Sequence, residues 1–297
     1  MKYYNLKLVF IVLIIVCMYS PIFGKQINIT LPKKSFTVYN LVITIPEQGK
    51  TYELGVSPVR TGNITCQAKA VDKNSTEITV PFTTHWDLRV TWDASGVTYF
   101  KAQSSKNNPF TTVFDMGGEL AIGVSAAEGQ ESISQVNIHI HGTNPSKSET
   151  SSYLATDIIR AIAWLESNWT WSQFDSNKMP INESGDYGIM RINWYSWNSD
   201  FDWRNVGWNW MSDIDAGKSI YNGYLSKAQK FNTDHPGIVY NNIDDYGRSD
   251  AADHVERDAL SRYNTGQQLY DTNGNIINGD GKTYAMRVEN FKYTKPW

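Results

Sequence analysis

With 297 residues, 41% of them hydrophobic and 19% charged, the chain has the length for one large domain or two ordinary ones and the apolar content for a sizeable core. A formal charge of −3 gives no basic footprint and excludes nucleic acid as an expected partner. Eleven tryptophans and seventeen tyrosines are a heavy aromatic load.

Residues 1–24 read as a signal peptide, with Lys2 and Lys7 in a positive n-region, an apolar stretch over 8–17 and a cleavage site after Phe23-Gly24. The apolar stretch is too short to span a bilayer, and Val16 stands where a lipid-attachment signal before Cys17 needs a small residue. Removal takes away two lysines and no acids, moving the net charge from −3 to −5. It leaves Cys66 as the sole cysteine, so no internal disulfide is expected. The expectation is a secreted or periplasmic protein with no membrane span in its mature form.

From 25 to 142 short alternating runs recur at 37–45, 64–71, 77–82, 87–92, 97–101, 111–114, 119–125 and 132–141. Turn residues separate them, among them Glu47-Gln48-Gly49, Asp72-Lys73-Asn74, Ala94-Ser95-Gly96 and Gly117-Gly118. Such spacing predicts an all-β, antiparallel, immunoglobulin-like sandwich, without the Cys–Trp–Cys framework of antibody domains. His139 and His141 share a strand face and His85 lies elsewhere. Three histidines can ligate a metal, but with no further ligand pattern they read as surface residues, and no metal is assigned.

Residues 143–150 read as a linker, with Pro145 and Ser146 or Ser148 placed to start a helix, and 151–297 as a second, α-rich domain. Residues 153–169 carry a helical pattern. At about 100° per residue, Ile158, Ile162, Leu165 and Trp169 define an apolar sector, and Glu166 falls about 80° from Ile158, still inside it. An unpaired carboxyl group in such a sector raises its pKa, and an acid protonated near neutrality is what a general acid requires. The other reading is a structural glutamate bonded to a neighbouring backbone group or arginine.

Eight of the eleven tryptophans lie between Trp164 and Trp210. Flat aromatic faces stack on sugar rings, and Asn193, Asn198, Asn205 and Asn209 are placed to meet sugar hydroxyls; core packing is the alternative for each tryptophan. Residues 184–193 (SGDYGIMRIN) either lie over a substrate near the acid or form an ordinary hairpin, with Gly185 and Gly188 allowing tight turns. Helices are expected over 213–228, 254–263 and 283–291. Asp271, Asn273 and Asn275 resemble a calcium loop, but Ile276 and Lys282 occupy the glycine and bidentate-glutamate positions, so a turn is expected and no cofactor.

Four segments in order, Glu166-Ser167 ending a helix, Gly188-Ile189-Met190-Arg191-Ile192-Asn193, Tyr263-Asn264-Thr265-Gly266 and Tyr284-Ala285-Met286-Arg287-Val288, resemble the soluble lytic transglycosylase domain of bacterial cell-wall enzymes, a relative of goose-type lysozyme. The resemblance covers about 156–291 and implies an α-rich, lysozyme-like (α+β) catalytic domain acting on peptidoglycan glycan strands. It implies Glu166 as the single catalytic acid and base, cleaving between N-acetylmuramic acid and N-acetylglucosamine and closing a 1,6-anhydro ring without water. It implies substrate contacts from Ser167, Tyr187, Gly188, Ile189, Met190, Arg191, Asn193, Tyr263, Asn264 and Tyr284.

Two positions depart from the pattern. The family has glutamine where this chain has Arg191, which either pairs with Glu166 and weakens the acid or binds a substrate carboxylate. Goose-type lysozymes carry aspartate at the position of Asn193, so this chain leans toward the transglycosylase. A muramidase remains the alternative, since Glu183, Asp186, Asp200 and Asp202 are close enough in sequence to position a water. A glycan-binding protein disabled by Arg191 is the third reading.

Overall fold

The structure, a computed structural model, describes residues 40–79, 82–126, 134–241 and 251–297. The expected signal peptide and the beginnings of the strands expected at 37 and 132 lie outside the described residues. Among the described residues no helix is long and apolar enough to cross a membrane.

Strands come first. β1 (Asn40–Ile45), β3 (Ile64–Val71) and β6 (Phe110–Thr112) form one antiparallel sheet in the order β1-β3-β6. β2 (Thr51–Glu53), β4 (His85–Ala94), β5 (Val97–Ser105), β7 (Gly118–Ser125) and β8 (Ser134–His141) form a second, ordered β2-β8-β7-β4-β5. Alternation decides which face is buried. On β4, Trp86, Leu88, Val90, Trp92 and Ala94 turn inward while Asp87, Arg89 and Asp93 stay exposed. Burying each large apolar side chain of this kind contributes about 1.5–3 kcal/mol. The β4–β5 hairpin closes on Ser95 and Gly96, both with positive φ, the two-residue turn whose twist suits the strands. Cys66 is buried in β3, where desolvation pushes its thiol up to about 12.

Two strand expectations are corrected. β2 pairs in parallel with β8, so this sheet is mixed; three residues are too few to show alternation in sequence. The run at 77–82 makes only a single bridge, Glu77 to Val71, among its described residues.

The helical half begins at Ser146, one of the two serines expected to start it. Ser146 caps α1 (Lys147–Tyr153) in a reciprocal box with Glu149, so half of the expected linker is helix. Asn144 fixes the rest, since its Oδ1 accepts the N–H groups of Gln173 and Phe174. The expected 153–169 helix is broken after Tyr153, because Thr156 caps a new helix, α2 (Asp157–Glu166), with its hydroxyl on the N–H of Ile159. α2 stops at Glu166 rather than Trp169. Ser167 Oγ donates to the Ala163 carbonyl and accepts from the N–H of Trp171, and Asn168 and Trp169 have positive φ.

Beyond it, β9 (Asn182–Glu183), β10 (Asp186–Tyr187) and β11 (Ile192–Asn193) make a small antiparallel sheet. α3 (Trp194–Trp197), α4 (Trp203–Trp208), α5 (Trp210–Asp234), α6 (Ala251–Thr265) and α7 (Gly279–Thr294) follow, the last three spanning the helices expected at 213, 254 and 283.

The strands and helices of residues 39–297 form one compact unit with a shared core. At the seam Trp208 lies edge-on to Trp92 with ring centroids 5.9 Å apart, and Tyr187 lies edge-on to the same Trp92 at 5.8 Å. Gly117 passes so close that a Cβ there would lie 2.1 Å from the Trp208 ring, and one on Gly207 would lie 2.4 Å from Trp92. Polar ties complete the seam: Tyr187 OH with Ser95 Oγ at 3.1 Å, Trp194 Nε1 to Tyr99 OH at 2.9 Å and Trp210 Nε1 to the Val56 carbonyl at 3.1 Å.

Candidate active site

Glu166 is the last residue of α2, and its side chain is partly open to a cleft of about 370 Å³. Tyr284, buried on α7, donates its hydroxyl to Glu166 Oε1 at 2.5 Å. Burial pushes the carboxyl up to about 7; the Tyr284 hydrogen bond pulls it down, the negative charge of Asp186 pushes it up, and Arg191 and Arg287 pull it down. Tyr284 itself is raised well above its usual range, first by burial and then by Glu166, so it stays a donor. A carboxyl group near 7 can give a proton and take it back at neutral pH.

The cleft is lined by Glu166, Asp186, Arg191, Asn193, Tyr263 and Asn264, together with Trp197, Tyr224 and the end of α6. Six expected contact residues are elsewhere, with structural work. Ser167 is buried and shapes the helix end. Tyr187 is buried in the seam, its hydroxyl also accepting from Asn182 Nδ2 at 2.8 Å. Gly188, Ile189 and Met190 are the buried turn beneath the cleft, and Tyr284 reaches the cleft only through Glu166.

That turn depends on Asp213, which sequence reasoning passed over. Asp213 is fully buried on α5; its Oδ2 accepts the N–H of Met190 at 2.9 Å, and burial pushes its carboxyl up to about 8. It shares one helix face with Gly217, Ile220 and Tyr224, the same signal of a carboxyl in an apolar sector that singles out Glu166. Gly188 has φ +77, and a Cβ there would lie 2.4 Å from Asp213 Oδ1. Gly188→Ala is therefore expected to lower the unfolding midpoint by several degrees, read by thermal denaturation, since it strains the turn and presses on a carboxyl with nowhere to move.

Tyr263 hydrogen-bonds the Met190 carbonyl through its hydroxyl at 3.0 Å. Arg191 forms no bond to the Glu166 carboxyl: its Nε donates to the main-chain oxygen of Glu166 at 3.0 Å and its Nη2 to Glu183 Oε1 at 2.8 Å. Of the four acids considered for positioning a water, Asp186 alone lines the cleft, accepting from Asn193 Nδ2 at 2.7 Å. Asp202 caps α4 and pairs with Arg204, and Asp200 is exposed.

The expected aromatic platform is mostly core. Trp164, Trp171, Trp203, Trp208 and Trp210 are buried, and among the tryptophans Trp197 lines the cleft. Asn193 and Asn209 cap helices rather than waiting on hydroxyls. Asp271 accepts the N–H groups of Asn273 and Asn275, and Tyr270 bridges Ile276, a turn closed on itself. His139 pairs with Glu119 at 2.8 Å.

The chain matches no protein-family model and no curated protein. The resemblance to the soluble lytic transglycosylase domain thus rests on the four ordered segments of the sequence. Two of the other three segments touch Glu166, Arg191 from the second at its main chain and Tyr284 from the fourth at its carboxyl, while Tyr263 from the third binds the turn carrying Arg191 and lines the same cleft.

Proposed function

We propose that the protein is a peptidoglycan lytic transglycosylase of the cell envelope, exported after cleavage near Gly24, in which an immunoglobulin-like strand module carries a lysozyme-like catalytic half. The half-open Glu166 carboxyl group, bonded by Tyr284 and sharing its cleft with Arg191 and Tyr263, carries this reading. Protonated Glu166 gives its proton to the glycosidic oxygen, and the bond from that oxygen to C1 of N-acetylmuramic acid breaks. The resulting carboxylate takes the proton of the muramoyl 6-hydroxyl as that oxygen bonds to C1, closing the 1,6-anhydro ring. No water is consumed, Glu166 ends protonated, and no cofactor enters the balance. Tyr284 keeps the carboxyl at one place through both transfers.

A second reading, a muramidase of the goose-lysozyme kind, is favoured by Asp186, a second carboxylate in the cleft. A water-using inverting enzyme needs such a base about 6.5–9.5 Å from the acid. The non-catalytic reading asks Arg191 to pair with the Glu166 carboxyl, whereas the guanidinium meets the main-chain oxygen instead.

Digestion of purified peptidoglycan separates the first two. Anhydro products, lighter by one water and without a reducing end, are the expected outcome; products that all carry a reducing end assign the protein to the hydrolases.

A further inference from the structure

We propose that Arg191 is a positioning residue for the Glu166 acid, gripping that residue by its own main-chain oxygen and held in turn by Glu183 at the end of β9. This rests on reading Glu166 as the proton donor.

The last carbonyl groups of a helix lack partners within it, and cations are favoured at that end. Arg191 supplies both needs of α2, donating from Nε to the Glu166 oxygen at 3.0 Å and bringing a charge it cannot lose. Its side chain is only 7% exposed, whereas that of Glu183 is 62% exposed, so the arginine is fixed by the fold and its counter-ion stands at the rim. Arg191 holds φ +48, a conformation costly for a residue with a side chain, and the turn beneath it is pinned by Asp213 and Tyr263.

The charged and titratable groups facing Glu166 are Tyr284 and Arg287 from α7, Tyr263 from α6, Asp186 from β10 and Arg191 itself. Of these, Arg191 binds the backbone of the acid. Its cation favours the carboxylate, and Glu183 partly offsets that cation. Removing the two partners of one ion pair must then move Glu166 in opposite directions. Arg191→Gln lets it keep its proton to higher pH, and Glu183→Gln makes it lose the proton at lower pH.

The test is a carbon-13 carboxyl NMR titration of Glu166 in the full chain, as wild type, R191Q, E183Q and R191K. R191Q is expected to raise the midpoint by about one pH unit and E183Q to lower it by about half as much. R191K, keeping the charge but not the fork, is expected near wild type in midpoint with a lower kcat and an unchanged KM. If both neutral variants move the midpoint the same way, or neither moves it, Arg191 merely braces the turn and the inference is overturned. Should R191Q fail to fold, the downward shift in E183Q decides alone. If the midpoints move as expected while wild type leaves glycan uncut, the positioning role stands and the assignment of the reaction falls.

Discussion

Glu166→Gln is expected to lower glycan cleavage by about 10²–10⁴-fold while the protein stays folded. The amide keeps the shape of the side chain, and its oxygen can still accept the Tyr284 hydroxyl, but it has no proton to give to the glycosidic oxygen. The same variant changes stability with a defined sign. In the folded protein the carboxyl is pushed up to about 7, against an ordinary value of 4.5, so between those values the folded state holds a proton that the unfolded chain has released. Stability therefore falls as pH rises through that window, by on the order of 2 kcal/mol once the open side of the residue is allowed for. Glu166→Gln removes this loss, so its unfolding midpoint should exceed that of wild type at about pH 8 and converge with it near pH 4. Release of muropeptides at the wild-type rate by the variant would remove Glu166 from the chemistry.

Trp208→Ala is expected to destabilise the whole of residues 40–297 by roughly 3–5 kcal/mol. The ring is fully buried, 5.9 Å from Trp92 of the sheet and 5.7 Å from Phe174 of the helical half, and it fills the space that Gly117 leaves. Truncation opens a cavity between two halves that cannot each collapse into it. Because both halves share one core, strand and helix signals should fall together in a single transition, about 10 °C or more below wild type. A first transition confined to the helices, with the strands melting at the wild-type temperature, would show that the halves are independent.

Local pattern told most of the elements. The alternating strands, the cap at Ser146 and the apolar sector holding Glu166 all rest on neighbours within a few positions, and these a sequence displays directly. What it hid was distant pairing. Nothing near Gly117 announces that Trp208 will cover it, and the three residues of β2 join the sheet through β8, far along the chain. The tryptophan cluster misled because burial in a seam and stacking on a sugar ask for the same side chain; in the structure the seam took most of them. Arg191 was ambiguous because its partner is a main-chain oxygen, which every residue has and no sequence pattern marks. Asp213 shares that difficulty, since its partner is the main-chain N–H of Met190.

The seam also sets an order of events. During synthesis the sheet strands emerge first, and Trp92 lacks its edge-on partners, and the bare backbone at Gly117 its cover, until Tyr187 and Trp208 have been made. In that interval the strand-rich half carries an open apolar edge, the kind of surface that draws misassembly. Arrival of the tryptophan-rich segment closes that edge in the same step that brings Tyr187 and the cleft turn against the sheet. The half that holds the acid thus serves as the late-arriving cover of the half that precedes it.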